Sequence, residues 1–469
     1  MRSMQVAALA LLALTLTEGK ILLKRDGLPP AGPPQTRAKA PEFGWFKQRL
    51  DHFDTTDNRT WSMRFMNQSQ FFELGGPIFV FLGGEWEISS GYLQTGQMFD
   101  MAAEHHGYMF YTEHRYYGKS FPFNNVSSDS LKYLTTDQAL ADVAYFITHM
   151  KRTMRGMANS KVVVVGGSYS ATMAQWMRLK YPHLITAALA SSAPAKAVED
   201  FKEYFEVVSD NIKLNSVECW DTIKNGTAAM VDLLETAAGK KKLEGLLNTC
   251  TPIRTEEPYR AYLFSSIGGI FAGIVQYAYI GQIKNECNQL LRNSGSPLEK
   301  LSSYVRAQYG GDCVGDYDEF LEYYAIDNIT EYIHRQWYYQ TCTEYGFYQT
   351  TSSDDQPFGK TMPLSLNHHT CKDLFGKEFN VDLLRRGINR TNIVYGGYDM
   401  EVTKVVSVHG TVDPWHAVGL TKDLNPEAPV FIVNGTSHCA DLSSISDYDL
   451  PEMYAAKKRS KELIAKWLK

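Results

Sequence analysis

The stretch "KVVVVGGSYSATMAQWMRLKYPH", residues 161–183, sets Ser168 between a β-branched run and an amphipathic helical pattern. A serine hydroxyl is a weak nucleophile until an imidazole takes its proton, and the imidazole needs a carboxylate to orient it. Later segments carry both. Asp413 lies in "VVSVHGTVDPWHAVG", just past an expected strand, and His438 lies in "VFIVNGTSHCADL", just past the next. Serine, acid and histidine in that order, each at a strand end, fit nucleophilic acyl transfer on a parallel sheet. Ser168 would attack, His438 would act as base and then acid, and Asp413 would fix the imidazole tautomer. His409, His416, Asp441 and Asp399 compete for these roles. Only Asp413 and His438 combine the right order with the right placement.

The turn around Ser168 has its own signature. Gly166, Gly167, Ser168, Tyr169 and Ser170 read as a nucleophile elbow in which Ser170 replaces the usual second glycine. Small neighbours let strand and helix approach, and the helix start aims free N–H groups at an anion. An oxyanion hole needs two such donors. The Tyr169 amide is one, and Gly84 or Glu85 in "LGGEWE" (82–87) supplies the other.

These groups need a frame. "PIFVFLGGE" (77–85), "YMFYTEHRYYG" (108–118), "KVVVVGG", "KVVSVHG" (404–410) and "VFIVNG" (430–435) read as strands, and "LTTDQALADVAYFITHMKR" (134–152) as a helix with an Asp at its start. Strands alternating with helices imply an α/β class with a parallel sheet covered on both faces. Between them the strand signal fades and helical periodicity takes over. The expected organisation is 45–196 for the first part of the α/β domain, 197–390 for a mostly helical cap, and 391–469 for the second part. Residues 20–44, rich in Pro and basic side chains, read as a flexible linker or pro-segment.

Composition bounds the function. The 469 residues are 44% hydrophobic and 13% aromatic, with a net charge of -5. That balance argues against nucleic acid or an anionic membrane as partner. Arg2 followed by "VAALALLALTL" has the layout of a signal peptide over residues 1–19, too short to span a bilayer. No other run is apolar enough for a membrane span, so the mature protein is expected to be secreted or lysosomal. Seven glycosylation sequons agree, at Asn58, Asn67, Asn125, Asn225, Asn328, Asn389 and Asn434. Six of the seven cysteines (Cys219, Cys250, Cys287, Cys313, Cys342 and Cys371) cluster in the helical stretch, without a C-x-x-C pair. Structural disulfides are the better reading, and spacing does not choose among the pairings. No metal or cofactor is expected.

"GGSYSATMAQWMRLKYPHLITAALASSAP", "EHRYYGKSFPF", "HRQWYYQTCTEYGFYQT", "VDPWH" and "TSHCADL" resemble, in order from about residue 45 to the C-terminus, one serine peptidase family. That family contains lysosomal Pro-X carboxypeptidase, dipeptidyl peptidase II and thymus-specific serine protease, and the likeness is closest to the thymus-specific branch. The resemblance implies an α/β-hydrolase domain with a helical, disulfide-tied cap, and a triad of Ser168, Asp413 and His438. It implies disulfides Cys219–Cys287, Cys250–Cys313 and Cys342–Cys371. It also implies cleavage after proline in a shallow aromatic pocket, where Trp415, Phe347 and Thr172 match pocket positions. Thr172 departs from the family by making that wall more polar. "LGGEWE" departs too, lacking an Asn between Gly and Glu, and Cys439 replaces a second histidine. Glu85 either holds a substrate amine or serves the fold.

The expected function is a serine-type exopeptidase acting on peptides with proline beside the cut. It is carboxypeptidase-like or dipeptidyl-peptidase-like; the sequence does not choose. A secreted esterase on the same fold, a catalytically silent binding protein and an endopeptidase are the rivals. A cap over the site argues against the last. A homodimer is compatible with the sequence, and nothing in it argues for one.

Overall fold

The computed structural model describes residues 28–29, 32, 34–36, 38–329 and 335–469. The expected signal peptide therefore lies outside the described residues.

An eight-stranded sheet carries the site. Its members are β1 (Glu42–Arg49), β2 (Thr60–Gln68), β3 (Ile78–Leu82), β4 (Tyr108–Thr112), β5 (Val162–Gly167), β6 (Ala187–Ser191), β9 (Val405–Gly410) and β10 (Val430–Val433). They lie in the order β1-β2-β4-β3-β5-β6-β9-β10. From β4 to β10 every neighbour is parallel, as expected. The first two strands are not: β1 pairs antiparallel with β2, and β2 antiparallel with β4. Sequence reading found neither strand, because the exposed Phe43 and Trp45 blur the alternation that marks a strand at a sheet edge. β7 (Val198–Asp200) and β8 (Gly346–Tyr348) form a separate two-stranded ribbon.

β5 is buried along its whole length, which is why it reads as an unbroken valine run. Val162 and Val164 face one core cluster with helices Thr136–Thr153 and Tyr169–Lys180. Val163 and Val165 face another, with helices Gln97–Glu104 and Pro451–Trp467. Thr135 caps helix Thr136–Thr153 by accepting from the Gln138 amide, with Asp137 in the first turn. The result is the α/β-hydrolase architecture.

Between β6 and β9 the chain is mostly helical, from helix Glu203–Asn215 to helix Val381–Tyr395. It is tied by Cys219–Cys287, Cys250–Cys313 and Cys342–Cys371, the pairs the resemblance implied. Cys439 is free and buried.

The proline-rich stretch is less detached than expected. β1 already begins at Glu42. Leu28 is buried, the Tyr92 hydroxyl donates to the Pro29 carbonyl at 2.7 Å, and the Gln35 amide donates to Asp100 at 2.9 Å. Apolar and amide side chains give this basic stretch anchor points that composition alone does not reveal. Among the described residues no helix is long and apolar enough to cross a membrane. None of the seven sequon asparagines is buried, although Asn67 and Asn125 accept hydrogen bonds from Tyr108 and from Ser127 and Ser130.

Candidate active site

Ser168 stands between β5 and helix Tyr169–Lys180 with φ 57° and ψ -132°. That backbone is strained for any residue but glycine, and it persists only where the surroundings fix it. Several contacts do so here. The Ser168 amide donates to the Ser191 carbonyl at 2.9 Å, and its own carbonyl accepts from Ala171 at 2.9 Å. Ser170, the residue that breaks the usual glycine pattern, uses its hydroxyl as a clasp. It accepts from the Gly167 amide at 3.0 Å and donates to the Gly167 carbonyl at 2.9 Å. Gly166 must be glycine, since a Cβ there would lie 2.2 Å from the Ser170 carbonyl oxygen.

Asp413 follows β9 and begins a short turn, Pro414–Val418, by accepting from the Trp415 amide at 3.0 Å. His438 follows β10. Its Nδ1 lies 2.9 Å from Asp413 Oδ1, with both side chains fully buried. This leaves Nε2 on the opposite edge of the ring. Cys439, the next residue, donates its amide to the Ser192 hydroxyl at 2.8 Å. Its Sγ lies 3.1 Å from where a Cβ on Gly167 would stand, so the histidine loop packs against the elbow.

The electrostatics of the pair follow from burial and mutual attraction. Burial pushes the Asp413 carboxyl up; the His438 charge and hydrogen bond and the donors Trp415 and Ser192 outweigh it, holding Asp413 below its ordinary value. Burial pulls the His438 imidazole down, and the charge of Asp413 overrides it and raises the imidazole.

The competitors separate cleanly. His416 Nδ1 is 2.6 Å from the Asp413 carbonyl, bound to main chain rather than to a carboxylate. His409 is buried within β9, and burial pulls it down to about 4, so it stays neutral. Asp441 is pushed up to about 6 by burial and accepts from the Ser191 hydroxyl. Asp399 is exposed ahead of β9.

The expected oxyanion donors lie just past neighbouring strands. β3 pairs directly with β5, so the loop carrying Gly84 and Glu85 emerges beside Ser168. Glu113 fastens this loop by accepting from the Ile88 amide at 3.1 Å while it also holds Lys119 and Ser120. Tyr169 opens the helix, so its amide is among those without an intrahelical acceptor. The phenol of Tyr169 is pinned by His114 at 3.1 Å, Gln340 at 3.0 Å and Tyr345 at 3.3 Å.

Trp415 and Phe347 meet edge to face, with centroids 5.5 Å apart at 87°. Phe347 holds φ 61°, a second strained position. Phe201 and Tyr204 complete the aromatic group around Trp415, at 5.5 Å and 5.9 Å. Thr172 is buried, and its hydroxyl donates to the Pro194 carbonyl at 2.8 Å. The polarity expected at that position is thus spent on main chain. Phe201, Tyr204 and Gln276 escaped sequence reading; they stand in no motif, and only tertiary contact brings them here, while Ser192 lies in a stretch that carries the resemblance, with no role expected of it. Among the described residues no cluster of His, Cys, Asp or Glu could hold a metal ion.

A family model described as serine carboxypeptidase S28 matches residues 48–460. The chain belongs to the S28 serine peptidase family. It is a serine-type peptidase, and its substrates are peptides. A Caenorhabditis elegans chain named a serine protease by inference is 33% identical over 446 residues, 90% of this chain and 87% of that one. Human thymus-specific serine protease is 30% identical, covering 92% and 88%. Human lysosomal Pro-X carboxypeptidase is 28% identical, covering 94% and 91%. This S28 chain thus shares nearly its full length with relatives of both names.

Proposed function

We propose that this S28 peptidase is a secreted or lysosomal exopeptidase that cleaves after proline through an acyl-enzyme on Ser168. The observation that carries the reading is the fully buried His438–Asp413 pair, 2.9 Å apart, beside a strained serine elbow. His438 Nε2 takes the Ser168 proton as Oγ attacks the scissile carbonyl carbon. The negative oxygen that forms is held by the Tyr169 amide and an amide of Gly84 or Glu85. The C–N bond then breaks, His438 returns the proton to the leaving nitrogen, and a water repeats the cycle to release the acyl group. Asp413 holds Nδ1–H throughout and stabilises the imidazolium.

Proline is compact, rigid and without an N–H, so packing alone can select it. The Trp415–Phe347 corner, backed by Phe201 and Tyr204, supplies that packing. The name of the Pro-X carboxypeptidase relative favours removal of a residue C-terminal to proline.

Mass spectrometry of products tests this. Wild-type protein and Ser168→Ala are incubated at pH 5 and pH 7 with short peptides carrying proline second from either end. Loss of one C-terminal residue after proline, absent from the variant, is the expected result. Release of N-terminal X-Pro dipeptides would make it a dipeptidyl peptidase with Glu85 near the substrate amine. Uncleaved peptides at both pH values would remove the substrate claim.

A further inference from the structure

Besides the aromatic and phenol contacts above, one helix end of the cap reaches the candidate site. Helix Tyr259–Gln276 finishes on Gln276, which makes three hydrogen bonds to residues around the reaction centre. Its main-chain carbonyl accepts from the His438 amide at 3.0 Å. Its side-chain Oε1 accepts from Trp415 Nε1 at 3.0 Å and from the Tyr204 hydroxyl at 2.7 Å. The next residue, Tyr277, sets its ring edge-on to the His438 imidazole, with centroids 5.9 Å apart at 90°.

Chemistry fixes the orientation of this amide. An indole N–H only donates, so the Gln276 atom facing Trp415 must be the oxygen, and that oxygen's two acceptor sites are filled by Trp415 and Tyr204. The last carbonyls of a helix lack intrahelical partners, so the His438 amide meets a need of the helix while being held itself. One residue of the cap therefore grips the main chain of the histidine, the indole of the pocket wall and the phenol behind it.

We propose that Gln276 is a positioning residue that couples the seating of the helical cap to the proline pocket and to His438. Docking of the helix end sets the Trp415 wall, and a cap that lifts releases wall and histidine together. Selectivity for an apolar P1 residue is thereby a property of the closed cap. The proposal rests on the peptidase reading above.

The test compares kcat/KM for a proline-containing peptide with kcat/KM for p-nitrophenyl acetate, which carries no P1 side chain. In Gln276→Leu the buried Tyr204 hydroxyl and the half-buried Trp415 indole both lose their acceptor, and the peptide-to-ester ratio is expected to fall about tenfold or more, mainly through peptide KM. Gln276→Glu keeps an oxygen that accepts both bonds, and its ratio should stay within about threefold of wild type. Should Gln276→Leu fail to fold, Tyr204→Phe removes one donor, keeps the ring, and should lower the ratio about threefold. An unchanged ratio in the variant that folds overturns the coupling, as does an equal fall in Gln276→Leu and Gln276→Glu. Wild-type protein inert to both substrates and unlabelled by a fluorophosphonate sinks the catalytic reading itself, and the coupling with it.

Discussion

Ser168 and Asp413 depend on different physics, and their variants should fail differently. Ser168, itself buried, holds backbone strain of about 1–3 kcal/mol at the elbow, kept in place by the Ser170 clasp. Asp413→Asn removes the charge that raises His438. It should cut kcat by about 10⁴-fold and move the acid limb of the pH–rate profile to lower pH, since His438 then loses its proton more readily. An acid limb that stays in place would show that another group titrates there. Glu344 gives a second pH test. Burial pushes its carboxyl up to about 7, although the Thr136 amide and hydroxyl donate to it. Between about 4.5 and 7 the unfolded chain gives up this proton while the folded chain keeps it, so stability falls as pH rises. Glu344→Gln removes that slope. Urea titrations should therefore show the variant gaining about 3 kcal/mol on wild type between pH 4.5 and pH 7.5. Parallel curves across that range would place the titration elsewhere.

The strand–turn–helix unit of β5 and helix Tyr169–Lys180 works only because two chains of atoms approach within contact. Gly166→Ala would drive a Cβ to 2.2 Å from the Ser170 carbonyl oxygen. Backbone cannot yield there without opening the elbow, so the variant should lose about 3 kcal/mol or more and its fluorophosphonate labelling together. Labelling at the wild-type rate would mean that the elbow relaxes without harm. This unit was legible in the sequence, since a valine run, paired glycines and a helical pattern specify it locally. β1 and β2 were not, because an antiparallel edge with exposed aromatics carries no clean period.

At the scale of the molecule, all three disulfides lie between β6 and β9, closing spans of 68, 63 and 29 residues. The eight-stranded sheet contains none of them. Each bridge typically contributes about 2–4 kcal/mol. Mild reduction should loosen the helical cap first. Turnover of a proline peptide is expected to vanish while far-UV circular dichroism still reports the sheet, with two transitions on heating. A single transition, with activity and sheet lost together, would show that cap and sheet unfold as one unit.

What the sequence determined alone is local: the elbow at Ser168, the order of serine, acid and histidine, and the strand before each of them. Nearest-neighbour sterics, hydrogen bonding and burial period act over a few residues, so they can be read from a few residues. Tertiary structure decided the rest. It brought the Asp413 carboxylate against His438, turned the Thr172 hydroxyl toward Pro194, and brought Gln276 of the cap to Trp415. The cysteine pairs also needed more than spacing. Such contacts join residues far apart in the chain, and they form only when burial of the whole core outweighs the entropy of closing the loops between them.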